Sequence, residues 1–211
     1  MREWVRSVSK DLLQHILFRN GFLWRVPKVQ GIALTFDDGP DPEFTPAVLD
    51  LLRTLEVRAT FFLIGNKVDA HPDLAARIVA EGHAVGGHGY DHRVITSMSR
   101  DGLGEDLGRC AAAIRRATGV QTRLFRPPKG EVDLASIHRS VRTHGYRLAH
   151  WSRTYSDYRR DGLQPLLDRM QRSPPRAGDV ILLHDNNPHT IDALSRAVPV
   201  WRGAGLGFVT L

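Results

Sequence analysis

Seven short apolar runs, most of them separated by stretches of helical periodicity, constrain the fold of this chain more than any other feature of its sequence. They fall at 31–36, 59–65, 83–87, 123–126, 146–151, 179–183 and 207–211, each of strand rather than helix length. Between them, Thr45-Pro46 offers an N-cap and a proline at the first helical position, with Leu49, Leu52 and Leu55 on the buried face that follows. His71-Pro72-Asp73 opens a second helix that closes at Gly82. Ser99 caps a third, whose Leu103, Leu107, Cys110 or Ala111, and Ile114 form one stripe up to Gly119. Further helices are expected over 134–144, 165–171 and 190–202. Strands that alternate with helices imply a parallel sheet, so the expected class is α/β, either an open wound sheet or a barrel. A chain of 211 residues is most simply one domain with a core of its own, and no repeat or low-complexity tract divides it.

In a barrel of parallel strands the site forms from the loops that leave the C-terminal strand ends. The polar residues that need explaining sit at those ends: Asp37 and Asp38 after the first strand, His88 and His92 after the third, Arg126-Pro127-Pro128-Lys129-Gly130 at the fourth, Asp157 after the fifth, and His184-Asp185 after the sixth. Asp37 and Asp38 lie between an apolar strand and the Gly39-Pro40 break. Two unpaired neighbouring carboxylates repel each other. A cation that holds one ionised leaves the other free to move protons.

Charge and cysteine content say less. Lys and Arg number 29 against 23 Asp and Glu, a net +6 that favours anionic surfaces. Residues 1–28 hold six of the cations against Glu3 and Asp11, which is +4 of that total. Trp4, Val5, Val8, Leu12, Leu13 and Ile16 recur there at helical spacing, with Arg2, Arg6 and Lys10 on another face. Such a basic amphipathic helix either packs on the domain with its cations in water or lies on an acidic membrane surface. Residues 1–30 are therefore assigned to this helix and a linker marked by Pro27, and 31–211 to the catalytic domain. The one cysteine, Cys110, makes no internal disulfide. No apolar run has the length of a membrane span or the continuity of a signal-peptide core, so a cytoplasmic location, or one at the cytoplasmic membrane face, is expected. Basic and aromatic residues are not interleaved as in nucleic-acid modules, and no nucleic-acid partner is expected.

Thr35-Phe36-Asp37-Asp38-Gly39-Pro40, His88-x-x-x-His92, Arg126-Pro127-Pro128-Lys129-Gly130, Trp151 with Asp157, and Ile181-Leu182-Leu183-His184-Asp185 follow one another in the order seen in polysaccharide deacetylases. From about residue 31 to the end, the chain resembles that family, the NodB-homology or carbohydrate esterase family 4 domain. The resemblance implies a distorted (β/α) barrel with fewer than eight strands, in agreement with the seven runs. It implies a metal-dependent hydrolase that removes acetyl from an N-acetylated amino sugar in a glycan or glycan precursor. Asp38, His88 and His92 would hold one divalent ion, zinc foremost, with nickel, cobalt, manganese and iron also compatible with imidazole and carboxylate. Asp37 would be the general base and His184 the general acid. Arg126 and Asp157 would orient and tune Asp37. The backbone N–H at Lys129 would face the oxyanion, and Trp151 and Leu183 would surround the acetyl methyl.

Three positions depart from the family pattern. Gly89 stands where a Ser or Thr hydroxyl usually braces the metal-histidine loop, Lys129 where an aromatic residue is frequent, and Tyr158 where Trp follows the aspartate. Alternative functions are a carbohydrate-binding relative with impaired catalysis, and a deacylase for O-acetyl or formyl groups. Iron oxygenases share the two-His, one-carboxylate ligand set, but the barrel pattern and an acid at His184 favour hydrolysis.

Overall fold

A computed structural model describes residues 21–26 and 29–211. The expected N-terminal amphipathic helix lies outside the described residues. The strands are β1 (Phe22–Leu23), β2 (Gly31–Asp37), β3 (Thr60–Leu63), β4 (Ala84–Gly87), β5 (Leu124–Phe125), β6 (Arg147–Ala149), β7 (Arg153–Thr154), β8 (Val180–His184) and β9 (Gly207–Phe208). They pair in the order β1-β6-β5-β4-β3-β2-β8-β7, with β9 beside the start of β2, and every pair of these strands is parallel. Only three residues separate β6 from β7, so the wall bends round on itself from β5 to β8 as a distorted barrel.

All seven expected strands are present. The two additional ones, β1 and β7, are two residues long and take their identity from their partners rather than from any pattern of their own. Residues 22–26, read from sequence as linker, belong to the sheet: Phe22 registers with Leu148, and Arg25 bridges to Asp179 ahead of β8.

The helices are α1 (Thr45–Thr54), α2 (Gly65–Ala70), α3 (Pro72–Ala80), α4 (Arg100–Thr118), α5 (Leu134–His138, continued by a π turn over Arg139–Thr143), α6 (Leu163–Arg172) and α7 (Pro188–Gly203). Ser99 caps α4 as expected, accepting from the Gly102 N–H at 3.1 Å. Thr45 does not cap α1. Its hydroxyl instead donates to Asp185 Oδ2 at 2.5 Å and accepts the Asp41 N–H. The short helix α2 was not anticipated, because Gly65 looked like the end of a strand.

Along β2, alternation sends Ile32, Leu34 and Phe36 outward. There they join Phe61, Leu63, Ile181 and Leu183 beneath the helices. The lumen is filled at one level by Phe62, Leu124 and Ala149. Gly86 makes room for this packing, since a Cβ there would stand 2.7 Å from the Phe62 ring.

Candidate active site

Parallel register places Asp37 at the end of β2 opposite His184 at the end of β8, so both side chains share one face of the sheet. Thr35 precedes Asp37 on that same face. Arg126, which follows β5, is fully buried between them. Its Nη1 donates to Asp37 Oδ1 and to Thr35 Oγ1, both at 2.7 Å, and its Nη2 donates to the His150 carbonyl at 2.9 Å. The guanidinium carbon lies 4.0 Å from the centre of the Phe62 ring. A cation removed from water at this depth needs such partners. The outcome is an Asp37 carboxylate with one oxygen tied and Oδ2 turned towards His88 Nε2, 3.7 Å away.

Past Asp37 the backbone enters the left-handed region at Asp38 (φ 75), a conformation that a non-glycine residue seldom adopts, and the second carboxylate reaches the same His88 Nε2 as the first. His88 leaves β4 with its Nδ1 2.8 Å from the Arg126 carbonyl. A carbonyl only accepts, so Nδ1 carries a proton and Nε2 is the ring nitrogen left to face the carboxylates or a cation. That Nε2 is 3.5 Å from Asp38 Oδ1, and His92 Nε2 is 3.3 Å from the same oxygen. The three donor atoms lie within 4.8 Å of one another. Two imidazoles and a carboxylate converging in this way fit a divalent cation. Burial by itself would raise the Asp38 carboxyl, but the hydrogen bond to His88 and the imidazoles of His88, His184 and His92 hold it well below the usual carboxylate range. Burial and the neighbouring His88 push His92 down, which favours its neutral, ligating form.

His184 is held differently. Its Nδ1 lies 2.9 Å from Asp157 Oδ1, and its backbone N–H donates to Asp157 Oδ2 at 2.7 Å. Thr190 Oγ1 donates to the same Oδ2 at 2.9 Å, and Asn187 Nδ2 to the Asp157 carbonyl at 2.7 Å. Burial opposes the charged imidazole, yet the Asp157 hydrogen bond and charge, reinforced by Asp37 and Asp38, raise its pKa to about 9. Asp157 thus acts on His184, which corrects the expectation that it joins Arg126 in tuning Asp37.

One further expectation changes. Leu183 is fully buried in the core beneath the helices, one residue out of phase with His184. The strand's two-residue period puts Leu182, register partner of Thr35, on the mouth side instead. Trp151, in the bend between β6 and β7, is half-buried and stacks on His150 with ring centroids 4.0 Å apart. Gly130 lies against its indole, and a Cβ there would come 2.2 Å from Cη2. Lys129 is exposed in the left-handed region (φ 59) at this same loop.

Several site residues were absent from the sequence assignment. Tyr158 is 57% exposed and meets the His184 ring edge-on at 6.0 Å, forming a wall of the mouth. Thr35 and Leu182 were legible in principle by counting back two residues from Asp37 and His184. Asp185 is fully buried with Oδ2 on Thr45, and it contacts Gly39, where a Cβ would meet that oxygen at 2.3 Å.

Comparison with known proteins agrees with this geometry. The family model described as polysaccharide deacetylase matches residues 25–149. A Bacillus cereus peptidoglycan-N-acetylglucosamine deacetylase is 34% identical over 207 residues, covering 95% of this chain and 96% of its own. A Sinorhizobium fredii chitooligosaccharide deacetylase is 35% identical over 188 residues, covering 82% of this chain and 86% of its own. A crystal structure of a peptidoglycan N-acetylglucosamine deacetylase in complex with 4-naphthalen-1-yl-N-oxidanyl-benzamide superposes with a TM-score of 0.86 at 30% identity, covering 92% of each chain. Matched along more than half its length and aligned nearly end to end with such relatives, the chain belongs to the polysaccharide deacetylase family.

Proposed function

We propose that this protein hydrolyses the acetamide of an N-acetylated amino sugar, within a glycan such as peptidoglycan or a chitooligosaccharide, and that it does so with a divalent ion, zinc by preference, held by Asp38, His88 and His92. The observation that carries this reading is the convergence of those three donors within 4.8 Å of one another, beside a carboxylate braced by a buried arginine. A cation at that position supplies Lewis-acid chemistry, making a water nucleophilic near neutral pH and polarising a carbonyl. The residues of the chain divide the remaining work. Asp37, held by Arg126 through Oδ1, keeps Oδ2 free to take the proton of the attacking water. His184, charged through its bond to Asp157, returns a proton to the departing amine, so that a neutral amine and not an amide anion leaves. The N–H at Lys129 meets the oxyanion. Leu182 and Tyr158 close on the acetyl methyl, and Trp151 backs the loop that presents Lys129.

The test is release of acetate from N-acetylglucosamine oligomers, with the new amine counted in parallel. Release in equal amounts, abolished by chelator and restored by zinc, is expected. Acetate release that survives chelation defeats the metal reading, and release from an O-acetylated oligosaccharide but not from these oligomers would mean that an ester is cleaved instead.

A further inference from the structure

The turn from His88 to His92 carries glycine at position 89 and so no side chain there to brace it, and its rigidity must come from elsewhere. Its carbonyls are held from one side by the first turn of α2: the Gly65 N–H donates to Gly89 O at 3.0 Å, and the Asn66 N–H to Tyr90 O at 3.1 Å. On the other side stands α4, whose buried stripe is Leu103, Leu107, Cys110, Ala113 and Ile114, with one carboxylate among them. That carboxylate, Asp106, is 6% exposed. Its Oδ2 accepts the Tyr90 N–H at 3.0 Å. Gly89, at φ +79, is the complement of this arrangement. A Cβ there would stand 3.2 Å from the same Oδ2, so the missing side chain makes room for the acceptor.

We propose that Asp106 is the positioning residue of the candidate metal centre, bracing the turn between His88 and His92 from α4 in place of a hydroxyl at position 89; this rests on the metal reading given above. A buried carboxylate on an apolar stripe costs desolvation, and the Tyr90 amide of the turn is what it satisfies. His88 has an independent anchor, its ring on the Arg126 carbonyl at 2.8 Å. His92 sits at the far end of the turn in the left-handed region (φ 54), so its approach to Asp38 depends on how the turn is held. Asp106 is not among the three converging donors. It acts by fixing the backbone from which His92 projects.

The experiment measures zinc affinity of the full chain by competition with a chromophoric chelator, the visible spectrum of the cobalt form, and the melting temperature of the metal-free protein. Asp106→Ala is expected to weaken zinc by about 10–100-fold, the usual effect of removing a group that orients a ligand, and to alter the cobalt spectrum. Asp106→Asn, whose amide oxygen accepts the same N–H, should stay within about threefold of wild type. Ile114→Val, two turns along α4 and away from the turn, should lower the melting temperature while zinc affinity holds. If the alanine variant does not fold, Asp106→Leu, apolar and similar in size, replaces it and must weaken zinc equally. Wild-type affinity in the alanine or leucine variant overturns the proposal, as does an equal loss in Ile114→Val or a failure of Asn to rescue. A wild-type chain that binds neither ion defeats the metal reading itself, an outcome separate from these.

Discussion

Two carboxylates that the sequence places at the same strand ends behave in opposite ways because of what surrounds each. Asp157 is saturated by His184, Thr190 and its own loop, and its charge keeps His184 protonated. With His184 raised to about 9, the acid form is present through neutral pH and disappears as pH rises through that value, so activity should show an alkaline limb near there. Asp157→Asn is expected to move this limb down towards the ordinary histidine range, as read from a pH profile of kcat; an unmoved limb would mean that another group sets it. Asp185 is the contrasting case. Burial outweighs the Thr45 hydrogen bond and raises its pKa to about 7 from 3.8, and its Oδ1 has no hydrogen-bond partner among the described residues. The folded chain therefore holds a proton that the unfolded chain releases, and stability falls as pH rises from 3.8 to about 7. Asp185→Asn keeps an acceptor for Thr45 and abolishes the titration, so it should be more stable than wild type at pH 8 but not at pH 4 in urea unfolding. Equal gains at both values would point to another cause.

At the level of elements, β8 separates the site from the core by its two-residue period. Leu182 and Leu183 are adjacent and chemically identical, yet Leu183 sits under the helices and Leu182 on the mouth side. Leu183→Ala should cost about 2–5 kcal/mol of stability through the cavity it leaves. Leu182→Ala, by contrast, should raise KM or lower kcat with a smaller loss of stability. Denaturant curves and steady-state kinetics on the pair decide it, and a reversal of the two patterns would place the strand one residue out of register. The same arithmetic explains why the candidate metal ligands are legible and the proposed acetyl wall is not. His88, His92 and Asp38 announce themselves by residue type at strand ends. A leucine among leucines needs the register, and that depends on the phase of β8 against β2.

For the whole molecule, the three candidate ligands leave the ends of two strands, Asp38 after β2 and His88 and His92 after β4, and none belongs to the apolar core. Chelation is therefore expected to abolish acetate release while circular dichroism keeps its shape, with the melting temperature lower only by what ligand binding contributes. Global unfolding on chelation would show that the ion is part of the folding core. Closure of the barrel is tested at the opposite end of β8. Asp179 is buried with Arg25 at 3.1 Å and Arg153 at 3.0 Å, and it also accepts the Arg176 N–H. Asp179→Ala leaves those donors without their shared partner and should cost about 3–5 kcal/mol, seen as a shift of the unfolding midpoint. Among the described residues no helix is long and apolar enough to cross a membrane.

Strand-length apolar runs, alternation with helices, and chemically loaded residues at the C-terminal strand ends follow from local composition and spacing, and those determine the barrel, its mouth, and the identities of Asp37, Asp38, His88, His92 and His184. Pairing across long sequence separations does not follow from them. That Arg126 serves Asp37 while Asp157 serves His184, that Asp106 reaches the His88–His92 turn, that Thr45 bonds Asp185 rather than capping its own helix, and that residues 22–26 belong to the wall were all decided by tertiary structure. The physical reason is common to them. A hydrogen bond or a strand pair is settled by whichever partner is left unsatisfied once the apolar core has closed, and the local sequence carries no record of that partner.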